Sequence, residues 1–234
     1  MTRHGTMRHG SLQFYPRKRA RKLLPRANWN FIQDISKNIK KVGLLGFIGY
    51  KVGMKSAYVK DNTPNSLTKG QRIVIPVTII EFPTAKILSI RFYKNNKLVG
   101  EILNQNLDKE LRRKLKIPKQ IKEKIEDSKI KDFGSPRKSM IFEDFEKDKE
   151  KYDNVRIVIY SQAKKTGIKK TPDIAEIALS GSKDEKIKFI KENLSKEISI
   201  IDFLSEDILR QGLVDIRGVT KGKGFQGSTK RFGL

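Results

Sequence analysis

Hydrophobic and polar positions alternate with a period of two in several short segments, which is typical of half-buried β-strands. The longest segment, Arg72 to Glu81, is rich in β-branched residues, and Pro76 within it indicates an edge strand or a bulge. Further strands are predicted at Val42 to Tyr50, Ser56 to Lys60 and Lys86 to Tyr93, and a turn is predicted at Asn95-Asn96. The N-terminal half of the chain is therefore predicted to be β-rich.

After residue 100 the hydrophobic spacing changes to three and four residues, which predicts amphipathic helices. Leu107, Leu111 and Leu115 recur every four residues, and Pro118 ends that helix. The span 101–153 carries 15 Lys and Arg against 13 acids, so its polar positions indicate a solvated helical surface. We interpret this span as the start of an insertion into a β scaffold.

The remainder mixes both patterns. Ser182 and Glu185 form a capping box ahead of an amphipathic helix. Strands are predicted at Val155 to Tyr160, Ile174 to Leu179 and Leu213 to Thr220. A short helix is predicted at Ser205 to Arg210. The elements together predict an α+β protein.

The net charge of the chain narrows the choice of binding partner. The chain has 51 Lys and Arg against 26 Asp and Glu in 234 residues, a net charge of +25. Such a charge opposes compaction unless a polyanion neutralises it, so nucleic acid is the favoured partner and an anionic membrane surface the second. No apolar run is long enough to span a bilayer, and no signal peptide is recognised.

The residue inventory restricts catalysis. There is no Cys, which excludes disulfides and thiolate zinc sites, and the two His residues, His4 and His9, lie near the N-terminus. A catalytic or metal-binding His in the folded body is thereby excluded, so we predict neither a metal nor a cofactor.

The first 41 residues look like a basic extension. Residues 1–55 contain 13 Lys and Arg against one acid. The cluster 17–22 follows Tyr15, and such cations and rings can bind phosphates and stack on bases. A disordered tail or a targeting signal are the alternatives. Because the segment lacks apolar periodicity, we expect the core to fold without residues 1–41.

Glycine and lysine interleave at the other end, in the segment 218–227, GVTKGKGFQG. Glycine lets a backbone lie close to a partner, and backbone N–H groups and cations can then meet the same polyanion. Tyr15, Trp29 and Phe225 are candidates for base stacking, although Phe225 could equally anchor the loop in the core. An ordinary Gly-rich surface turn is the simpler alternative.

The same segment also suggests a nucleotide-dependent enzyme. Gly222, Gly224 and Gly227 spell G-x-G-x-x-G after a predicted strand, but a dinucleotide fold needs a following helix, a second strand and a distant acid. Ser228 stands where a P-loop requires Lys. An RNA- or nucleotide-acting enzyme that uses this loop is kept as the alternative function.

Five stretches give the chain a family resemblance: GSLQFYPRKRA (10–20), GFIGYKVGM (46–54), IPVTIIE (75–81), KKTPDIAEI (169–177) and GVTKGKGFQGSTKRFG (218–233). With these the chain resembles the universal large-subunit ribosomal protein "L-three" family, in its archaeal and eukaryotic form. The resemblance spans nearly the whole chain, and the last stretch is the most specific.

The resemblance implies an antiparallel β-barrel of the translation-protein type, with a helical insertion and a basic N-terminal extension. It implies a non-enzymatic role in the cytoplasmic ribosome: binding 23S-type ribosomal RNA near its 3′ domain, beside neighbouring ribosomal proteins, and supporting early subunit assembly near the peptidyl-transferase region. On this basis we divide the chain into an extension (1–41), a first barrel segment (42–100), an insertion (101–212), and a barrel strand with the Gly/Lys-rich loop (213–234).

The family's chain continues for roughly a hundred residues more, judged against ordinary domain lengths. The barrel is therefore expected to be incomplete, and its closing strands would come from a separate polypeptide or be lost by truncation. The predicted rRNA-binding residues share cationic, glycine or aromatic chemistry and are Arg17, Lys18, Arg19, Arg21, Lys22, Lys221, Gly222, Lys223, Gly224, Phe225, Gly227, Lys230 and Arg231.

Overall fold

A computed structural model describes residues 20, 22–35, 42–104, 106–116, 151–202 and 213–233. The chain divides into two compact units, residues 1–27 with 212–234, and residues 28–211. The described residues form antiparallel sheets and three α-helices, which confirms a mixed α+β fold, and they contain no closed barrel.

The second unit is organised on a four-stranded antiparallel sheet. Its strands are β3 (Ala85–Lys94), β4 (Lys97–Leu103), β5 (Asn154–Ser161) and β6 (Ile174–Ala178), in the order β4-β3-β5-β6. The boundary predicted at residue 100 falls within β4, and β3 pairs with β5 from beyond it. One sheet thus takes strands from both sides of that boundary.

The two central strands supply half of the buried hydrophobic residues in the described fold. Val155, Ile157 and Ile159 of β5 are completely buried, and Ile90 and Phe92 of β3 are nearly so. Both faces of β5 are covered, because its side chains alternate between faces and every residue from 155 to 161 is buried. Such a strand reads as a continuous apolar run, which is why the sequence predicts it easily.

The turn between β3 and β4 was predicted correctly. Asn95 and Asn96 have φ of 49° and 62°, the left-handed values that a two-residue hairpin turn demands and that Asn tolerates. The Asn95 amide also donates to Asp153 Oδ2 at 2.9 Å.

A two-stranded ribbon forms the remaining sheet. β1 (Tyr50–Lys60) pairs antiparallel with β2 (Arg72–Glu81), and Pro76 lies opposite Ser56. Neither strand has a second neighbour among the described residues, so Pro76 is on an edge strand as predicted. Two separate strands were predicted at 42–50 and 56–60, and this prediction is wrong. β1 is continuous from Tyr50 to Lys60. Residues 42–49 contribute only a β-bridge, between Leu44 and Leu179.

Helices appear where caps or packing support them. The capping box predicts α2 (Lys183–Asn193) correctly, because Ser182 accepts from the Glu185 amide and Glu185 accepts from the Ser182 amide. The predicted leucine-spaced helix is only a 3-10 helix, Lys109–Arg113, with Leu111 buried. Its predicted end at Pro118, and the short helix predicted at 205–210, lie outside the described residues.

One helix was missed. Trp29–Ile35 forms α1 and contacts β6, within the stretch predicted to be a separable tail. Gln33 Nε2 donates to Asn154 Oδ1 and to the Leu179 carbonyl, both at 3.3 Å. Trp29 is half-buried, so it belongs to this packed helix and is not a free stacking ring. Residues 28–35 therefore belong to the folded body.

The described residues of the first unit, 20, 22–27 and 213–233, have little regular structure. Residues 213–227 form no strand, so the strand predicted at Leu213 to Thr220 is wrong. Val214 and Ile216 alternate with polar residues but are exposed, and no described strand pairs with them. A short helix, α3 (Ser228–Phe232), follows.

Candidate nucleic-acid interface

The predicted phosphate-binding residues fall at the two ends of the sequence. Arg17, Lys18, Arg19 and Arg21 lie outside the described residues, as does Tyr15. Lys22 is described and its side chain is exposed. The geometry of the candidate interface is therefore that of the segment 213–233, named below the C-terminal segment.

The C-terminal segment is exposed almost throughout; only Gln226 is half-buried. It carries five cations and one acid. The Phe225 side chain is 103% exposed, so its alternative role as a core anchor is wrong. Lys221, Lys223 and Lys230 form no ion pair with any described residue. These cations can therefore bind an external anion without first breaking an ion pair with a described residue.

The glycines of this segment divide into two groups. Gly224 and Gly233 have φ of 71° and 72°, a left-handed conformation that favours glycine. Gly218, Gly222 and Gly227 have no such φ, and a Cβ at any of them would meet nothing within 4 Å. The described fold gives no internal reason for glycine at the second group.

The end of the segment is a capped turn of helix. Arg231 N donates to the Gly227 carbonyl at 3.0 Å, and Gly233 N donates to the Thr229 carbonyl at 2.9 Å. The Arg231 guanidinium lies 5.6 Å from the centre of the exposed Phe232 ring. This stacking leaves the guanidinium edges able to form hydrogen bonds.

The nucleotide-enzyme alternative loses its support. A dinucleotide site requires a strand before the Gly-rich turn and a helix whose N-terminus meets the pyrophosphate. Here no strand precedes the turn, and α3 has only five residues. The described residues contain no group of three His, Cys, Asp or Glu suited to a metal ion.

The folded body holds its acids in charge clusters that the sequence did not reveal. Glu176 accepts from Arg91 at 2.8 Å, Tyr93 at 2.9 Å and Arg156 at 3.0 Å. Burial alone would raise the pKa of Glu176, but hydrogen bonds from these donors outweigh burial and hold it below its usual range. The Arg156 guanidinium also lies 4.4 Å from the Tyr93 ring centre.

A second acid, Asp108, joins three elements. It accepts from Lys86 at 3.1 Å, Tyr160 at 2.8 Å and Gln162 at 2.6 Å. Burial works against ionisation here too, but these hydrogen bonds keep the pKa of Asp108 below its usual value. Both clusters are typical of structural charge networks, and the depression that Asp108 lines is lined mainly by cations.

Comparison with known proteins decides the family. The family model described as "Ribosomal protein L3" matches residues 1–234. The chain belongs to the ribosomal protein L3 family. It is 38% identical over 234 residues to the large ribosomal subunit protein uL3 of Methanocaldococcus jannaschii, covering 97% of this chain and 62% of that protein.

Other archaeal members are similarly related. The large ribosomal subunit protein uL3 of Methanobrevibacter smithii is 36% identical over 241 residues, covering 100% of this chain and 64% of the relative. That of Archaeoglobus fulgidus is 36% identical over 238 residues, covering 97% of this chain and 62% of the relative. The chain thus spans less than two thirds of the length of these L3 relatives. No helix in the described residues is long and apolar enough to cross a membrane.

Proposed function

We propose that this L3-family chain is a structural, non-enzymatic constituent of the large ribosomal subunit that acts in the cytoplasmic ribosome. The observation that carries the proposal is the exposed C-terminal segment, whose cations lack acidic partners among the described residues while its glycines lack internal neighbours. Relatives of 36–38% identity are named large ribosomal subunit protein uL3, which supports the assignment.

The binding mode follows from the chemistry of the segment. Lys221, Lys223, Lys230 and Arg231 neutralise phosphates of 23S-type rRNA near its 3′ domain. Gly222, Gly224 and Gly227 let the backbone approach the RNA, and Phe225 stacks on a base. Arg17, Lys18, Arg19, Arg21 and Lys22 of the N-terminal extension provide a second set of phosphate contacts. Binding in this way supports early subunit assembly near the peptidyl-transferase region.

The organisation of the protein belongs to the same proposal. The predicted segments are 1–41, 42–100, 101–212 and 213–234, and α1 within the first of them packs on the folded body. Together they would form an L3-type barrel with its extensions. The β1–β2 ribbon supports this, because apolar side chains such as Met54 and Val74 are exposed and both strand edges lack partners among the described residues. Polypeptide corresponding to the region of the relatives that this chain does not cover would pair those edges, either in continuous sequence or as a separate chain.

Co-sedimentation tests the ribosomal role. The tagged chain is expected to pellet with archaeal large subunits at physiological ionic strength and to be released by high salt, because the contacts are largely electrostatic. Liposomes containing anionic lipids serve as the comparison. Pelleting with liposomes and not with large subunits would contradict the proposal and favour a membrane-surface protein.

A further inference from the structure

A second basic surface lies on the folded body and includes no residue of the two basic ends of the chain. It consists of the exposed cations of residues 109–116 and 164–170 and is named below the body patch. The two segments together carry nine Lys and Arg and one acid, Glu110. They are separated by about fifty residues in sequence, so only the fold brings them together.

The first half of the body patch, residues 109–116, is anchored to the four-stranded sheet by a buried side chain. Leu111 of the 3-10 helix is completely buried in a cluster with Leu88, Val158 and Tyr160. Lys109 and residues 112–116 are exposed. The buried leucine thus holds one side of this segment against β3 and β5 and turns its cations toward solvent.

The second half is a hydrogen-bonded loop. Lys165 N donates to the Gln162 carbonyl at 3.0 Å, and Gly167 N donates to the Lys164 carbonyl at 3.2 Å. Thr166 Oγ1 donates to the Ala163 carbonyl at 3.0 Å. Ala163 is buried, so the loop has a fixed base while residues 164, 165, 167, 168 and 170 are exposed.

Direct contacts join the two halves. Arg113 Nη1 donates to the Lys170 carbonyl at 2.9 Å, and Lys164 Nζ lies 2.6 Å from Glu110 Oε1. Between the segments lies a shallow depression of about 480 Å³, lined mainly by cations. The backbones of the two segments are thus held together before any partner binds, which reduces the entropy lost on binding.

The nearby acids are already occupied. Asp108 holds Lys86, Glu197 holds Lys165, and Asp173 holds Lys169. Lys109, Lys114, Lys116 and Lys170 form no ion pair with any residue that the structure describes. The patch therefore presents net positive charge that the described residues of the body do not neutralise.

The chemistry of the patch favours RNA over an acidic protein. Protein interfaces are depleted in Lys and enriched in buried aromatic anchors. The body patch has many Lys and no aromatic residue. Lysine-rich surfaces of this kind suit the evenly spaced phosphates of a nucleic-acid backbone.

We infer that the body patch is an additional RNA-phosphate-binding surface, independent of the two basic ends of the chain. The inference rests on the proposed rRNA-binding function. Its contacts are sequence-independent, because Lys109, Lys114 and Lys170 engage phosphates, which carry no sequence information. The patch thereby orients the folded body on the RNA to which the ends also bind.

The test compares two variants of the full 234-residue chain with equal charge. The patch variant carries Lys109→Gln, Lys114→Gln and Lys170→Gln, and the control variant carries Lys97→Gln, Lys188→Gln and Lys196→Gln, three exposed lysines elsewhere on the body. Circular dichroism melts establish that both fold like the wild type. Binding to a transcript of the 3′ domain of archaeal 23S rRNA is measured by fluorescence anisotropy at several salt concentrations.

The patch variant is expected to lose about 2 in the steepness of log K against log salt, and the control variant less than about 1. If the wild type binds the transcript but the two variants behave alike, the body patch is not an RNA surface, while the proposed function stands. If the wild type itself fails to bind, the proposed function fails first. Unchanged RNA binding with loss of incorporation into subunits in the patch variant alone would identify a protein partner and overturn the inference.

Discussion

The indole of Trp29 lies over Gly46, so closely that a Cβ at position 46 would be 2.9 Å from Trp29 Cη2. Glycine at 46 is therefore needed for the ring to pack, and α1 depends on that packing. A seven-residue helix is unstable by itself, because helix formation requires a costly first turn. The contacts of Trp29 and Gln33 with the rest of the body supply the stabilisation.

Gly46→Ala is expected to lower the free energy of unfolding by about 1–3 kcal/mol, because the added methyl overpacks against the indole. Gly53→Ala is the control, since a Cβ at 53 would meet nothing within 4 Å. Urea denaturation of both variants measures the difference. Equal stability of the two variants would show that Trp29 does not pack on Gly46 in solution.

Truncation tests the same boundary. Removal of residues 1–27 is expected to leave the cooperative unfolding of the body unchanged, whereas removal of residues 1–41 deletes α1 and its hydrogen bonds to Asn154 and Leu179. The longer deletion should lower the midpoint of thermal unfolding by several degrees, since about 1 kcal/mol corresponds to ~2–4 °C in a domain of this size. Identical melts would restore the sequence-based view of a separable 41-residue tail.

Local sequence patterns correctly predicted the elements that are stabilised by residues close in sequence and the strand whose side chains are buried on both faces. The Ser182–Glu185 capping box, the Asn95-Asn96 turn and the apolar run of β5 are such cases. The helix α1 was missed because its stabilising contacts come from outside the helix, from Gly46 and from residues more than a hundred positions away. The strand expected at 213–220 failed because alternation makes a strand only when another strand pairs with it.

The candidate interface divides in the same way. The Gly/Lys-rich segment is contiguous, so its chemistry can be read directly from the sequence. The body patch and the Glu176 cluster are assembled from segments that are distant in sequence. No local sequence pattern at Lys170 or Arg156 predicts which residues they contact. The pairing of β5 with β3 and with β6 creates both.

The Glu176 cluster predicts acid sensitivity. Because the folded-state pKa of Glu176 lies below the unfolded value of about 4.3, its contribution to stability is complete above that value and is lost as pH falls through the folded pKa. Glu176→Gln is expected to cost about 2 kcal/mol at pH 7. The difference from the wild type should shrink as pH falls below about 4.

Urea unfolding of the wild type and Glu176→Gln from pH 7 to pH 3 tests this dependence. The control is Glu192→Gln, which removes an exposed carboxylate on α2. A penalty for Glu176→Gln that stays constant across this range would mean that the ionised carboxylate is not what the cluster stabilises.

The β1–β2 ribbon predicts an incomplete fold for the chain by itself. Tyr58 is 83% exposed and Met54 61% exposed, on a sheet of only two strands. An isolated two-stranded sheet is marginally stable, and exposed apolar edges promote aggregation. The chain is expected to aggregate at low salt without RNA, and to melt more sharply when co-expressed with polypeptide corresponding to the uncovered region of its relatives.

Paired substitutions locate that effect. Tyr58→Thr with Val74→Thr, a directly opposed pair on the ribbon, should reduce both the aggregation and the response to the added polypeptide. Leu98→Thr with Leu103→Thr, exposed on β4, is the control and should change neither. A sharp monomeric melt of the isolated chain, unaffected by the polypeptide, would show that the ribbon needs no further strands.

Glycines of the C-terminal segment that have no close neighbours can be substituted to test RNA binding without disturbing the fold. Gly218→Ala with Gly222→Ala is expected to leave stability unchanged or slightly raised, because neither position has a left-handed φ or a close neighbour. Binding to rRNA should fall about tenfold, or ~1.4 kcal/mol, if the RNA backbone lies against these positions. Full affinity in the double variant would leave these glycines as ordinary turn residues.

The central claim, that the C-terminal segment binds rRNA through its cations, is tested most directly by the salt dependence of binding. The wild type should give a slope of log K against log salt steeper than about −4. Replacing Lys221, Lys223, Lys230 and Arg231 with Gln should reduce the steepness by about 3, which Lys51, Lys55, Lys97 and Lys188 replaced with Gln should not do. A wild-type slope near zero, or equal slopes for the two variants, would contradict the claim.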